Sequence, residues 1–185
     1  NQATGEIHVD NIPDGSSQNG VFNASGDTFT NAGKIFIGST SGAGSTGLFN
    51  GGNFFNNGEI SVDNVYNSSS GDHGLYHRSG SFLNTGKISI GTTGSAGDWG
   101  IYTSSTFDNE ADGEIAIDRC GISGLRNGSV GGGAFTNAGK LAIGANETVG
   151  DWGLWNENQF NNSGELSIDN STVTGLRHQS DSFEN

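Results

Sequence analysis

The sequence is dominated by one ten-residue frame that the chain repeats along its whole length. Its clearest copy is FTNAGKIFIG, which begins at Phe29 and ends at Gly38. The frame Phe-x-Asn-x-Gly-Lys/Glu-Ile-x-Ile-Gly/Asp starts again at later phenylalanines, with Val or Leu for Ile in some copies and two extra residues in the third of them: Phe54, Phe82, Phe107, Phe135 and Phe160. Successive phenylalanines, up to a last one at Phe183, are 25, 28, 25, 28, 25 and 23 residues apart. A fixed period of this size is typical of a solenoid in which each repeat forms one coil.

Within each coil the apolar residues predict short strands. After the corner glycine, apolar residues alternate with polar or small ones, as in Ile35 and Ile37, which is the pattern of a strand with one buried face. A variable loop follows, then a glycine with an aliphatic residue such as Leu48, and the next phenylalanine closes the coil. One coil offers only about four apolar side chains, so it must stack on its neighbours to bury them. No segment has the 3.6-residue period of a helix.

Coils of 23–28 residues predict an all-β fold, a right-handed parallel β-helix (β-solenoid) of about seven coils. Phe29, Phe82 and Phe135 are 53 residues apart, so two coils form one super-repeat. We interpret residues 1–185 as a single β-solenoid segment, and since the frame is interrupted at both ends we expect a longer repeat array. The 33 glycines then mark tight corners rather than disorder.

Composition excludes several classes of partner. The net charge of −13 argues against nucleic acid and anionic membrane surfaces. No apolar run approaches the roughly 20 residues needed to span a bilayer, so we expect no membrane insertion. A single cysteine, Cys120, excludes an internal disulfide.

Two rows of residues recur once per coil and are expected to form ladders, because equivalent residues of successive coils stack in a parallel solenoid. The first is an interior aromatic stack: Phe29, Phe54, Phe82, Phe107, Phe135 and Phe160. The second is a ladder of side-chain amides at the corner: Asn31, Asn56, Asn84, Asn109, Asn137 and Asn162. Stacked amides hydrogen-bond along the axis, so we interpret both rows as structural.

The residue after the corner glycine alternates in charge, and this row contains every lysine of the chain: Lys34, Glu59, Lys87, Glu114, Lys140 and Glu165. It defines two coil types, a Lys coil and a Glu coil. Like charges stacked about 4.8 Å apart repel, whereas opposite charges contribute about 0.2–1 kcal/mol per pair. Electrostatics therefore predicts the two-coil super-repeat.

We predict neither a metal nor a cofactor. Four residues after the charge row, Asp alternates with Gly, so successive carboxylates are about 10 Å apart and do not share a calcium ion. Zinc-ligand spacing, a phosphate-binding loop and a nucleophile elbow are missing from the sequence.

In each coil, the residue directly after the glycine–aliphatic pair that follows the loop is expected to point outward. We name this row the contact stripe: Phe22, Phe49, Tyr76, Tyr102, Arg126, Trp155 and Arg177. Arg126 and Arg177 flank Trp155, an arrangement suited to cation–π stacking. Two interpretations stay open. The planar groups stack on one another for rigidity, or they form a contact surface for sugar rings or a neighbouring rod.

The Phe-x-Asn-x-Gly-x-Ile-x-Ile frame resembles the repeats of bacterial secreted and surface β-helix proteins, including haemagglutinin-type adhesins and autotransporter passengers. The resemblance covers nearly the whole chain, but its motif specifies the coil and not a ligand. It implies an extracellular or cell-surface, elongated protein with an adhesive or structural role. No binding residues carry over, because the motif positions are scaffold positions.

These observations predict a non-enzymatic structural or adhesive β-solenoid: a stiff rod in a cell-surface adhesin or a self-assembling fibre. Its expected partners are other copies, head-to-tail or lateral, and surface glycans. The alternative is a carbohydrate-binding module that uses the contact stripe. A polysaccharide-degrading enzyme is the least favoured class, because a catalytic site needs unlike residues at particular coils and the repeat has few breaks. These breaks are His8, His77, Arg78, Arg119, Cys120 and His178.

Overall fold

The computed structural model describes residues 1–15, 18–66, 71–128, 132–179 and 182–185, and every regular element in these ranges is a β-strand. In chain order the strands are β1 (Glu6–Val9), β2 (Asn19–Asn23), β3 (Thr28–Asn31), β4 (Lys34–Ile37), β5 (Thr46–Asn50), β6 (Asn53–Asn56), β7 (Glu59–Val62), β8 (His73–His77), β9 (Ser81–Asn84), β10 (Lys87–Ile90), β11 (Trp99–Thr103), β12 (Thr106–Asn109), β13 (Glu114–Ile117), β14 (Ser123–Asn127), β15 (Phe135–Asn137), β16 (Lys140–Ile143), β17 (Trp152–Asn156), β18 (Gln159–Asn162), β19 (Glu165–Ile168), β20 (Thr174–His178) and β21 (Ser182–Glu184).

The strands form three parallel seven-stranded sheets, and each turn of the chain adds one strand to each sheet. The first sheet has the order β1-β4-β7-β10-β13-β16-β19, the second β2-β5-β8-β11-β14-β17-β20, and the third β3-β6-β9-β12-β15-β18-β21. The chain is therefore an all-β solenoid, as the repeat predicted. Its right-handed winding stays a prediction. Within the described ranges, no helix is long and apolar enough to cross a bilayer.

The alternating apolar residues of the three sheets meet inside the solenoid. Ile88 of the first sheet, Leu75 of the second and Phe82 of the third have no exposed surface. The phenylalanine row is a continuous stack from Phe29 to Phe183, with neighbouring ring centroids 4.5–5.2 Å apart and planes within 2–11° of parallel. Each fully buried ring contributes about 1.5–3 kcal/mol, so this stack is a main source of stability.

The asparagine row is a continuous hydrogen-bonded ladder beside that stack. From Asn1 to Asn185, each side-chain Nδ2 donates to the Oδ1 of the next asparagine at 2.6–2.9 Å. The amides from Asn31 to Asn137 are buried, and their remaining donors bond corner carbonyls, as Asn31 does to Glu59 at 3.1 Å. Burial of so many polar groups is tolerated because each is hydrogen-bonded.

The charge row lies in register on the outside of the first sheet, with each lysine opposite glutamates of the coils on either side. Two pairs approach closely: Lys34 to Glu59 at 3.7 Å and Lys140 to Glu165 at 3.5 Å. Exposed ion pairs contribute about 0–1 kcal/mol each. The charge row therefore helps to fix the register between coils more than it stabilises the folded state.

Hydrogen bonds from loop N–H groups to aspartate carboxylates also link a Glu coil to the next Lys coil, and the sequence did not predict them. The Asp63 carboxylate accepts hydrogen bonds from the backbone N–H groups of Thr93 and Gly94, at 2.9 and 3.0 Å, in the loop of the next Lys coil. Asp10 and Asp118 do the same to their following Lys coils. The hydrogen bond from the Thr40 backbone is the main cause of the lowered pKa of Asp10.

The contact between a Glu coil and a neighbouring Lys coil also explains why glycine alternates with aspartate four residues after the charge row. Gly91 has φ +69°, and a Cβ there would overlap the carbonyl oxygen of Asp118. In the Glu coils the residue after the aspartate is also left-handed, and at Asn64, Arg119 and Asn170 its side chain bonds back to the preceding Lys coil. Asn64, with φ +52°, donates to the Gly38 carbonyl at 2.6 Å. Arg119 replaces this asparagine one super-repeat later and donates to the carbonyls of Gly91 and Thr92.

Candidate contact surface

The contact stripe lies on the outer face of the second sheet. Strand register places its seven residues opposite one another in a single row, from Phe22 to Arg177. Phe22 is 60% exposed, and the other six are half-buried.

A second row packs against the stripe from three positions earlier in each strand, and it includes His73, Trp99 and Trp152. The glycine between the rows faces inward: a Cβ on Gly100 would overlap the Ile117 side chain. The residue before the glycine therefore stays on the outer face, where Trp99 is 8% exposed. The sequence signal for this second row is the position before a glycine, which His73 shares with Trp99 and Trp152.

Arg126 is the centre of the surface. Its guanidinium carbon lies 4.3 Å from the centroid of the Trp155 ring and 5.1 Å from that of Tyr102. Its Nε and Nη2 atoms bond one oxygen of Glu157 at 2.9 and 2.8 Å. A cation held between ring faces gains about 0.5–2 kcal/mol from cation–π attraction. Arg126 thus has its faces covered by rings and its edge paired with a carboxylate.

The row continues beyond Trp155 in the same way. The guanidinium of Arg177 lies 4.4 Å from the Trp155 ring centroid and 4.8 Å from that of Trp152. The Trp155 indole N–H donates to Oε1 of Gln179 at 3.1 Å. Because Ser123 is small, Trp99 extends past it, and its ring centroid lies 6.0 Å from that of Trp155.

On the other side of Arg126 the stack is aromatic. Tyr76 and Tyr102 lie 5.1 Å apart with nearly parallel rings, and His73 stacks on Tyr76 at 4.8 Å. Phe49 then meets Tyr76 edge-on at 90°, and Phe22 is parallel to Phe49 at 5.1 Å.

These contacts bear on the two interpretations of the stripe. From Tyr76 to Arg177 the planar groups cover one another's faces, so their edges point to solvent. Sugar rings stack on exposed aromatic faces. The geometry therefore favours mutual stacking for Tyr102 and Trp155, and it leaves Phe22 and Phe49 as the accessible aromatic residues.

An open groove of about 390 Å³ lies beside these two phenylalanines, and its wall includes Arg78. Arg78 is exposed, and among the described residues its guanidinium has no carboxylate or ring partner. The groove is thus a positively charged spot with an aromatic wall on an acidic molecule.

Sequence reasoning missed a second polar ladder, which runs under the stripe inside the second sheet. Asn23 donates to Asn50 at 2.7 Å, and Asn50 donates to Nδ1 of His77 at 2.9 Å. The ladder resumes with Asn127, which donates to Asn156 at 2.8 Å. The available signal was that these asparagines each follow a stripe residue directly.

His77 belongs to this ladder and is not a catalytic candidate. Its Nδ1 accepts from an amide, so its Nε2 carries the proton and donates to the carbonyl of Thr106 at 3.0 Å. Burial lowers the pKa of His77 to about 4, which keeps the ring neutral. At the next coil Thr103 bonds its own loop instead, and the buried Oδ1 of Asn127 has no donor among the described residues.

The one cysteine thiol is buried as well, and the possible metal ligands among the described residues do not cluster. Cys120 lies in the hydrophobic core, and burial raises the pKa of its thiol, which stays protonated. Within the described ranges, no three His, Cys, Asp or Glu residues come together as a metal site.

Comparison with known proteins returns nothing for this chain: no family model, curated protein or solved structure matches it.

Proposed function

We propose that this chain is a non-enzymatic structural or adhesive element: a stiff β-solenoid rod in a cell-surface adhesin or a self-assembling fibre. The observation that carries the proposal is the uninterrupted asparagine ladder beside the phenylalanine stack. Each coil is fastened to both neighbours by backbone, amide and ring contacts, so bending or sliding one coil would break several interactions at once.

The proposed location is outside the cell or on its surface. Its support is the likeness of the repeat frame to those of secreted β-helix proteins. The test is protease shaving of intact cells of the source organism, followed by antibody detection of the chain. Loss of the signal from intact cells is expected, and protection until lysis would contradict the location.

The mechanical part is tested by pulling single molecules from their two ends. A stacked rod is expected to lose coils stepwise, and each step releases about 25 residues, or roughly 85 Å of extended chain. Asn84→Asp should lower the force at which steps begin, whereas the exposed Asn57→Asp should not. A single event at low force would contradict the rod.

Glycan binding is the second candidate function, and the groove beside Phe22, Phe49 and Arg78 favours it. Arg78 would bind a carboxylate of an acidic sugar, and Phe22 would pack against the ring. Binding to an acidic glycan array should be lost in Phe22→Ala and in Arg78→Gln, while Tyr102→Phe serves as the matched control. Absence of binding by the parent chain would remove this function and leave the rod proposal untouched.

A further inference from the structure

Two of the three tyrosines of the chain stack on each other in the contact stripe. Tyr76 of β8 and Tyr102 of β11 are strand partners in neighbouring coils, and they are 26 residues apart in the sequence. Their ring centroids lie 5.1 Å apart, and their planes are within 8° of parallel. The alignment holds the two rings side by side along their whole length, including the carbons beside each hydroxyl.

The groups around the pair leave each tyrosine with the other as its phenolic neighbour. Phe49 meets Tyr76 edge-on with ring centroids 5.3 Å apart, and the guanidinium carbon of Arg126 lies 5.1 Å from the centroid of the other ring. His73 lies against both tyrosines, with ring centroids at 4.8 and 5.6 Å. None of these three neighbours carries a phenol. Within the described ranges, a radical on Tyr76 or Tyr102 therefore has one phenol beside it.

The reactive edges of both rings reach the surface. Both tyrosines are half-buried, and since their faces are covered by neighbours, the exposed part of each ring is its edge. Part of the Tyr102 edge packs over Gly128, where a Cβ would overlap Cε2 of the tyrosine. Cε1 is therefore the carbon beside the hydroxyl that remains for bonding. Burial raises the pKa of Tyr102, so an oxidant has to remove the electron and the phenolic proton together.

We propose that Tyr76 and Tyr102 form an oxidative cross-linking site, at which one carbon–carbon bond joins two neighbouring coils. The oxidant is an enzyme of the peroxidase class with hydrogen peroxide, which removes one electron and one proton from each phenol. The two phenoxyl radicals bond through carbons beside their oxygens, and each of these carbons passes its hydrogen to the oxygen of its own ring. The pair loses two hydrogen atoms in all, and one hydrogen peroxide becomes two waters.

The cross-link would add a covalent bond to a junction that hydrogen bonds already hold. Tyr76 belongs to a Glu coil and Tyr102 to the next Lys coil. Asp63 links the same two coils through the N–H groups of Thr93 and Gly94. The use of the cross-link as a reinforcement rests on the proposed rod, whereas the chemistry of the pair does not. Stacked rings react as an intramolecular pair, so dilution of the protein should not reduce the yield.

The experiment is oxidation of the folded chain by a peroxidase and hydrogen peroxide at several protein concentrations. Dityrosine fluorescence measures the yield, and mass spectrometry of a digest identifies the joined peptides by the loss of two hydrogens. Free tyrosine in a separate tube confirms that the oxidant is active. Tyr76→Phe and Tyr102→Phe keep the stacked ring and remove the phenol. Tyr66→Phe is the matched control, because Tyr66 packs over Gly42 and has no ring contact among the described residues.

The parent and Tyr66→Phe are expected to give the same yield of a cross-link between residues 76 and 102. This yield should be at least about tenfold above that of Tyr76→Phe or Tyr102→Phe, and it should not change on dilution. Unfolding the parent in urea before oxidation should lower the yield about fivefold, because the flexible chain brings the phenols together less often than the stack does.

Equal yields in the parent and in Tyr76→Phe or Tyr102→Phe, or cross-links chiefly between separate copies, would overturn the inference. Oxidation confined to Trp99, whose ring centroid lies 6.1 Å from that of Tyr102, would overturn it as well. The same holds for a parent that forms no dityrosine while free tyrosine reacts. These outcomes leave the pulling and surface-location results unaffected, so the two proposals fail separately.

Discussion

Replacing Asn84 by aspartate tests whether the amide ladder stabilises the rod. Asn84 is fully buried; its Nδ2 donates to Asn109 at 2.7 Å and to the Gly86 carbonyl at 3.1 Å, and its Oδ1 accepts from Asn56 at 2.7 Å. Aspartate has nearly the same shape, so the variant creates no cavity. It places an oxygen where the amide donated to two acceptors.

The expected loss of folding stability has two contributions: the lost hydrogen-bond donors, and the proton that the buried carboxyl group has to retain. A protonated carboxyl restores one donor, and the acceptor left without one costs about 1–3 kcal/mol. Retaining that proton in the fold costs about 1.4 kcal/mol per pH unit above the unfolded pKa of about 3.9, an upper limit of about 5 kcal/mol at pH 7.5 and about 1 at pH 4.5. Together the two contributions set an upper limit of about 6–8 kcal/mol for the loss in Asn84→Asp at pH 7.5, and of about 2–4 kcal/mol at pH 4.5.

The sign follows from proton linkage. The folded pKa of the new carboxyl is raised, so the folded state binds more protons and its stability falls as pH rises above about 4. Urea unfolding followed by circular dichroism at both pH values, each compared with the parent, measures the difference. The control is Asn57→Asp, since Asn57 is exposed and its side chain makes a single hydrogen bond within the described ranges, which it accepts from the Thr85 hydroxyl at 3.0 Å. A loss that is independent of pH, or equal to that of the control, would refute the reasoning.

Two further predictions concern the second ladder and the coil junction. His77→Asn restores the residue of the sister coils; because the pKa of His77 is lowered to about 4, the parent should lose stability as pH falls from 6.5 towards 4, and the variant should show a flatter pH dependence in thermal unfolding. Gly91→Ala should lose more than about 2 kcal/mol in urea unfolding, because φ +69° and the overlap with the Asp118 carbonyl add together. Gly26→Ala has φ +86° but open space around its Cβ, and it should lose only about 1 kcal/mol; equal losses would show that the overlap does not matter.

The sequence predicted what depends on stacking alone. Phe82, Asn84 and Lys87 lie in ladders because a parallel solenoid places equivalent residues opposite one another, and that rule needs no atomic detail. The sequence did not predict that His77 takes the place of an asparagine within a buried ladder. The replacement is possible because a ring nitrogen and an amide oxygen accept the same hydrogen bond. The role of Asp63 was also missed, since it depends on the backbone direction of a loop in the next coil.

The alternation of coil types has two physical causes with different consequences. Lys34 lies between two glutamates, Glu6 and Glu59, so charge alone does not distinguish the two directions along the rod. The hydrogen bonds between side chains and backbone do distinguish the two directions. In a Glu coil, Asp63 bonds forward to the next Lys coil, while Asn64 bonds back to the previous one. A Glu coil therefore bonds both neighbours through side chains. The Lys coils supply backbone groups to these bonds and, at two junctions, side chains as well: Ser39 donates to Asp10 at 3.1 Å and Asn146 donates to Asp118 at 3.2 Å. The direction of stacking is therefore set at these junctions, where the aspartate of a Glu coil bonds forward and the residue after it bonds back.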